Sequence, residues 1–259
     1  MTTSETAHIY RCEITLWEPT FFASREIGAF YQTEPLIGNY ALAYALGLCA
    51  APYHSDTTVR YKADLLPLNQ RGVYVTPATI LGEPKFTLSQ FNAQTDAYWY
   101  AFANNAIVTR PDDRRARKDG TNWYIVDPVT GSQQKVTANN FPQHGRIKML
   151  ALGNRAVCYV IAREPLPLPR YIRLGKWMSK ASVEVTHATS RPEQRPGETV
   201  SVFLNPADLP DPKALGTFDL VSIHPVPLIR HARLAGAFYR APDGGWLPAG
   251  MRFGVESLP

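Results

Sequence analysis

Three cysteines in 259 residues, Cys12, Cys49 and Cys158, are odd in number and far apart, so neither a disulfide framework nor a cysteine-built metal site is expected. Long apolar runs are also lacking. The most apolar stretch, Tyr40 to Ala51, is too short to cross a bilayer and reads as a buried helix. The start, MTTSETAH, carries no hydrophobic signal region, which points to a soluble, cytoplasmic chain with no membrane partner. The six histidines (His8, His54, His144, His187, His224, His231) stand at no ligand spacing with one another or with cysteine. His224 and His231 are seven positions apart, but Pro225 and Pro227 forbid a regular helix between them. No metal or other cofactor is expected. Gly175-Lys176 looks like the end of a phosphate loop, yet Arg170 stands where its first glycine belongs and Trp177 replaces the Ser or Thr. A dinucleotide-binding glycine fingerprint and a Gly-x-Ser-x-Gly elbow are both missing.

What is present is a globular composition, 45% hydrophobic and 19% charged, long enough for one large domain or two small ones. Lys plus Arg number 27 against 22 Asp plus Glu, and the net charge of +5 decides little by itself. Placement of the charge says more. Arg110 to Lys118 (RPDDRRARK) carries five cations, Arg110, Arg114, Arg115, Arg117 and Lys118, against Asp112 and Asp113. Arg163 to Lys180 carries Arg163, Arg170, Arg173, Lys176 and Lys180 against Glu164 alone. Tyr171 and Trp177 lie within the second segment, and Trp123 and Tyr124 follow the first. Cations hold phosphates and aromatic faces stack bases, so this interleaving suits single-stranded RNA. It equally suits solvated charged loops beside core aromatics. General acid–base chemistry is open too, because metal-independent RNA cleavage needs only a His, Tyr or Lys near a ribose 2′-hydroxyl. Arg25 and Glu26 sit among apolar residues (FFASREIGAF). Two readings of Arg25 stand side by side, a phosphate or neighbouring subunit and a local ion pair with Glu26 or Glu34.

Along the chain, Ile9 to Trp17 alternates as a strand. Glu34-Pro35 opens a helical stretch to about Leu48, or Asn39 caps a shorter one. Tyr53 to Leu152 is irregular, with strand candidates at Gly72–Val75, Lys85–Leu88 and Asn122–Val126. Ala156 to Ala162 is a continuous apolar strand, and Pro165 to Pro169 is a stiff connector. Further strands are expected at Ser182–Val185, Thr199–Leu204, Phe218–Ile223 and Ala235–Tyr239. The fold class is α+β, rich in antiparallel strands and compatible with a ferredoxin-like core carrying a long, loop-rich insertion.

The ordered strings FFASRE, TEP, NYALAYALGL, YIRLGKWMSK, LNPADLP, HPVPLI and LPAGMRF resemble the Cas-five-type subunit of type I-D CRISPR interference complexes, a member of the RAMP superfamily. The resemblance implies a single RAMP-type domain over 1–259. Its ferredoxin-like core would cover about 8–52 and 153–259, and its insertion, with a hairpin thumb, about 53–152. It implies a non-catalytic subunit that holds the 5′ handle of CRISPR RNA and caps a filament of backbone RAMP subunits. Such a subunit also touches a large Cas-ten-like subunit near the target double-stranded DNA, beside the protospacer-adjacent motif. Charge and aromatic placement nominate Arg170, Arg173, Lys176 and Lys180 for phosphates, Trp177 or Tyr171 for stacking, and Arg25 as a further RNA candidate. Arg110, Arg114, Arg115, Arg117 and Lys118 are nominated for the guide or the target duplex. Two other readings remain beside this one, a repeat-processing endoribonuclease and a protein-interaction subunit with little RNA contact.

Overall fold

The computed structural model describes residues 6–28, 30–49, 60–93, 106–107, 113–120, 122–136, 139–140, 143–223 and 226–256. The chain forms two compact units, 1–27 with 31–87 and 148–259, and 28–30 with 88–147. It passes between them along the strands Phe86–Ala93 and Gln143–Leu150.

In the larger unit, Ala7–Leu16 is an inner strand of a seven-stranded sheet whose described pairings are all antiparallel. Its alternation gives it two unlike faces. Tyr10, Cys12, Ile14 and Leu16 are buried, while Arg11, Glu13 and Thr15 are half-buried on the other side. Ser179–Ser190 pairs along one edge and Arg155–Ala162 along the other. After Arg155 this last strand is buried at every residue, which explains its unbroken apolar run. Beyond it the ladder is split by Pro77, which has no N–H to give. Val73–Val75 pairs before the proline and Ala78–Ile80 after it. The Thr76 hydroxyl fills the gap, accepting from the Tyr159 N–H at 3.0 Å.

The first helix is shorter than Glu34-Pro35 suggests. Leu36–Ile37 is instead a short strand paired with Ala78–Ile80, and the helix runs Asn39–Ala45 with Gly38 at its N-cap. Its end is a Schellman closure: Gly47 takes φ +68, and the Leu48 N–H reaches the Ala43 carbonyl at 3.0 Å. A second helix, Tyr61–Gln70, is absent from the sequence reading because Pro67 stands inside it. Leu65 and Leu68 bury one face of that helix. Asp64 on it accepts the Tyr44 hydroxyl hydrogen bond at 2.8 Å, tying the helices together.

Near the C-terminus the three strands Glu193–Thr199, Arg233–Arg240 and Trp246–Pro248 form one sheet, and Asp219–Val221 pairs with Leu228–Arg230. The expected Thr199–Leu204 strand is irregular chain that bonds at separate points, Val200 to Ala232 and Leu204 to Ile229. The strand lies just before it, through Pro196, with a register shift between Arg195 and Glu198. Among the described residues the architecture is mostly antiparallel strand with two short α-helices, and no helix is long and apolar enough to cross a membrane. In the smaller unit, Arg115–Asp119, Asn122–Val126 and Gln133–Val136 form a three-stranded sheet.

One buried polar cluster joins distant parts of the larger unit. Asp208, 1% exposed in a 3-10 turn at Pro206–Asp208, accepts from Asn39 Nδ2 at 2.7 Å, the Tyr74 hydroxyl at 2.9 Å and the Gly254 N–H at 2.7 Å. At Gly254 a Cβ would lie 2.1 Å from the Ala207 carbonyl oxygen, so only glycine lets the chain come this close. Asn39→Ala should cost about 1–3 kcal/mol in denaturant unfolding, because it removes a donor from a buried carboxyl. Burial pushes the Asp208 carboxyl up to about 6 from its ordinary 3.8, against its hydrogen-bond donors. A raised carboxyl pKa means the folded state holds the proton more tightly than the unfolded chain. The stability this contributes is complete below the ordinary value and is lost as pH rises through about 6. Asp208→Asn lacks that loss, so its deficit against wild type should shrink between roughly pH 4 and pH 7. A deficit that grows over this range in parallel thermal melts would contradict the assignment.

Candidate nucleic-acid interface

Tyr171–Leu174 turns back through Gly175 to Met178 and pairs with Ser179–Ser190, Tyr171 opposite Ser182 and Arg173 opposite Lys180. Alternation buries Ile172, Leu174, Ser179 and Ala181 and leaves Tyr171, Arg173 and Lys180 exposed on the other face. The basic, aromatic string is thus a hairpin with one buried and one wet side.

The tail of the first strand clamps this hairpin in place. The Trp17 N–H donates to the Lys180 carbonyl at 3.0 Å, and the Lys180 N–H donates to the Glu18 carboxylate at 2.8 Å. Ser179 Oγ donates to the Pro19 carbonyl at 2.8 Å, and the Lys176 N–H to the Phe21 carbonyl at 2.9 Å. The Phe21 and Trp177 rings pack with centroids 5.1 Å apart. Inside the turn, the Arg173 guanidinium donates to the Met178 carbonyl at 3.0 Å. Arg170, Arg173, Lys176 and Lys180 are all exposed, and among the described residues none of them is ion-paired. Large aromatics stand exposed beside them: Tyr171 at 74%, Trp17 at 64% and Trp177 at 53%.

The other nominated residues fall elsewhere. Arg25 makes the local ion pair with Glu34 rather than Glu26, Nε to Oε1 at 2.7 Å. Arg110 lies outside the described residues. Arg114 pairs with Asp127 at 2.9 Å and with Asp113 at 3.6 Å. Arg115, Arg117 and Lys118 are not on a loop: they are exposed positions of the Arg115–Asp119 strand. Arg117 faces Tyr124, which in turn faces Lys135, a cross-strand row of two cations about one aromatic. Lys118 stands 5.9 Å over the Trp123 ring.

Sequence reading misses Trp17, which it treats as the last residue of a strand. Its indole Nε1 donates to Ser182 Oγ at 2.8 Å, which fixes the ring on the hairpin's exposed side. Sequence distance also hides the register of Cys12 directly opposite Cys158, both buried and free. The Cys158 thiol is held well above its ordinary range by its hydrogen bond with Cys12 and by burial. Among the described residues no group of His, Cys, Asp or Glu could hold a metal ion.

Fold and surface together define an antiparallel-sheet protein that presents a cationic, aromatic hairpin from its main sheet. Over residues 7–256 the chain matches the family described as type I-D CRISPR-associated protein Cas5/Csc1, and it belongs to that family, as the ordered strings in its sequence suggest. No curated protein sequence matches the chain. Among solved structures it is similar to a chain of the cryo-EM structure of the type III-B Cmr-beta bound to cognate target RNA and AMPPnP. The identity is 12% and the TM-score 0.35, with 88% of this chain and 86% of that chain covered.

The turn carries its own test. Gly175 holds φ +72, and a Cβ there would lie 2.5 Å from the Phe21 carbonyl oxygen. Gly175→Ala should therefore lower unfolding stability by about 1–3 kcal/mol. Tryptophan fluorescence should report a loosened hairpin in the folded variant.

Proposed function

We propose that this chain is a non-catalytic subunit of a type I-D CRISPR RNA-guided surveillance complex and that the Tyr171–Lys180 hairpin holds the 5′ handle of the CRISPR RNA. The observation that carries the reading is the set of four exposed cations, Arg170, Arg173, Lys176 and Lys180, standing unpaired beside exposed Tyr171 and Trp177. Unpaired cations at this density suit a polyanion, and RNA supplies a phosphate at every nucleotide. Family membership supplies the CRISPR context.

The finer parts of the reading follow from the same source. The sheet is read as a ferredoxin-like core. Supporting this, Ser179–Ser190, Ala7–Leu16, Arg155–Ala162 and Val73–Val75 are neighbours in that order and all antiparallel. Helices follow the first strand, while the Pro165–Pro169 connector takes the place of a second crossover helix. The exposed cations Arg115, Arg117 and Lys118 of one strand are assigned to the guide or the target duplex beside the protospacer-adjacent motif, in a complex with backbone RAMP and large Cas-ten-like subunits in the cytoplasm.

Two outcomes test the proposal. Lys176→Ala and Arg170→Ala should each weaken handle RNA binding, and each should lower the slope of log affinity against log salt by about one. Unchanged affinity and unchanged complex assembly in both variants would remove the hairpin from the interface. Purified protein incubated with repeat RNA in EDTA should leave it intact. Specific cleavage at the handle boundary would instead make the chain a processing ribonuclease.

A further inference from the structure

Trp17 stays exposed although its position is fixed twice, by its backbone N–H on the Lys180 carbonyl at 3.0 Å and by its Nε1 on Ser182 Oγ at 2.8 Å. Ser182 is the register partner of Thr15 on one side and Tyr171 on the other. Trp17 and Tyr171 therefore approach the same serine from opposite strands, on the same wet face of the sheet. The next rung of the hairpin, about 7 Å further along the strand, is Arg173 opposite Lys180. Exposed rings of this size are costly to leave in water. Trp17, one residue past the end of the first strand, is anchored by its two bonds to the hairpin, and Tyr171 is a residue of the hairpin strand itself.

We propose that Trp17 and Tyr171 form a two-base stacking platform for a single-stranded segment of RNA, one unpaired base on each ring, with the backbone phosphates on Arg173 and Lys180. The proposal rests on the RNA-binding reading above and adds to it a residue, Trp17, and a ligand form, unpaired adjacent bases. A duplex does not fit, because its base faces are already stacked within the helix and cannot reach the rings. A protein partner fits less well. Covering this patch would need carboxylates placed against both Arg173 and Lys180, whereas protein interfaces deplete lysine and acidic residues at their core. The Ser182 oxygen accepts from Trp17, so the hydroxyl proton remains free to donate to an acceptor held between the rings.

The test is fluorescence anisotropy of the full chain with a labelled, mixed-sequence single-stranded RNA of about ten nucleotides. Trp17→Ala and Tyr171→Ala should each weaken binding roughly 5- to 150-fold. Neither should change the salt slope, since no phosphate contact is lost. Trp17→Phe, which keeps a stacking face and loses the Ser182 bond, should stay within about threefold of wild type. Replacing two adjacent nucleotides by abasic ones should weaken the wild type and leave the Trp17→Ala, Tyr171→Ala double variant unaffected. The platform is refuted if folded Trp17→Ala binds within about twofold of wild type, or if a duplex of the same sequence competes equally. RNA binding that depends on Arg170 and Lys176 but not on Trp17 would refute the platform and leave the broader reading standing. No RNA binding in any buffer would refute both, and patch-dependent capture of an acidic subunit in its place would assign the surface to a protein.

Discussion

Hydrogen bonding of the Ala7–Leu16 strand on both edges is the constraint on which the remaining geometry depends. A strand paired on one side can slide, and a slip of one residue would exchange its faces. Here one edge is locked to Arg155–Ala162 and the other to Ser179–Ser190, so Tyr10, Cys12, Ile14 and Leu16 are held inward. The residues that follow leave the ladder with a fixed direction. Trp17, Glu18, Pro19 and Phe21 then each bond the hairpin at a defined point. The cationic surface is thereby rigid at its base while its four cations remain exposed and, among the described residues, without ion pairs.

A buried polar cluster holds another part of the same unit together. Asn39, Tyr74, Asp208 and Gly254 are far apart in the chain and meet in one hydrogen-bonded cluster. A carboxyl taken out of water is tolerated only where donors converge on it, and three do so here. The cost of removing any one of them is high, so the cluster ties the start of the first helix, the strand next to Arg155–Ala162 and the end of the chain into a single arrangement.

Much of this was legible in the sequence, and the failures have physical causes. Strong alternation gave the first strand, the apolar run gave Arg155–Ala162, and Asn122–Val126 is found with its expected bounds. The Tyr61–Gln70 helix was hidden because an internal proline normally ends a helix, whereas packing of Leu65 and Leu68 holds this one together. Glu34-Pro35 carries a helix-opening signal that lost to strand pairing by Leu36 and Ile37. At the hairpin, Tyr171, Arg173, Lys176, Trp177 and Lys180 could be grouped from the sequence because they lie close along the chain. Trp17 was missed because 165 positions separate it from Ser182.

The sequence by itself determined the family, the antiparallel character and the clustering of cations and aromatics at Tyr171–Lys180, since each rests on patterns within a few neighbouring residues or on the order of such patterns along the chain. Tertiary structure alone decided which cations stay unpaired and which are taken by carboxylates, as Arg25 is by Glu34 and Arg114 by Asp127. It also decided that Trp17 and Tyr171, from the strands on either side, converge on Ser182. The physical reason is the same in both cases: charge neutralisation and ring placement depend on distances of a few ångströms between strands, and strand register is settled only when the whole sheet closes.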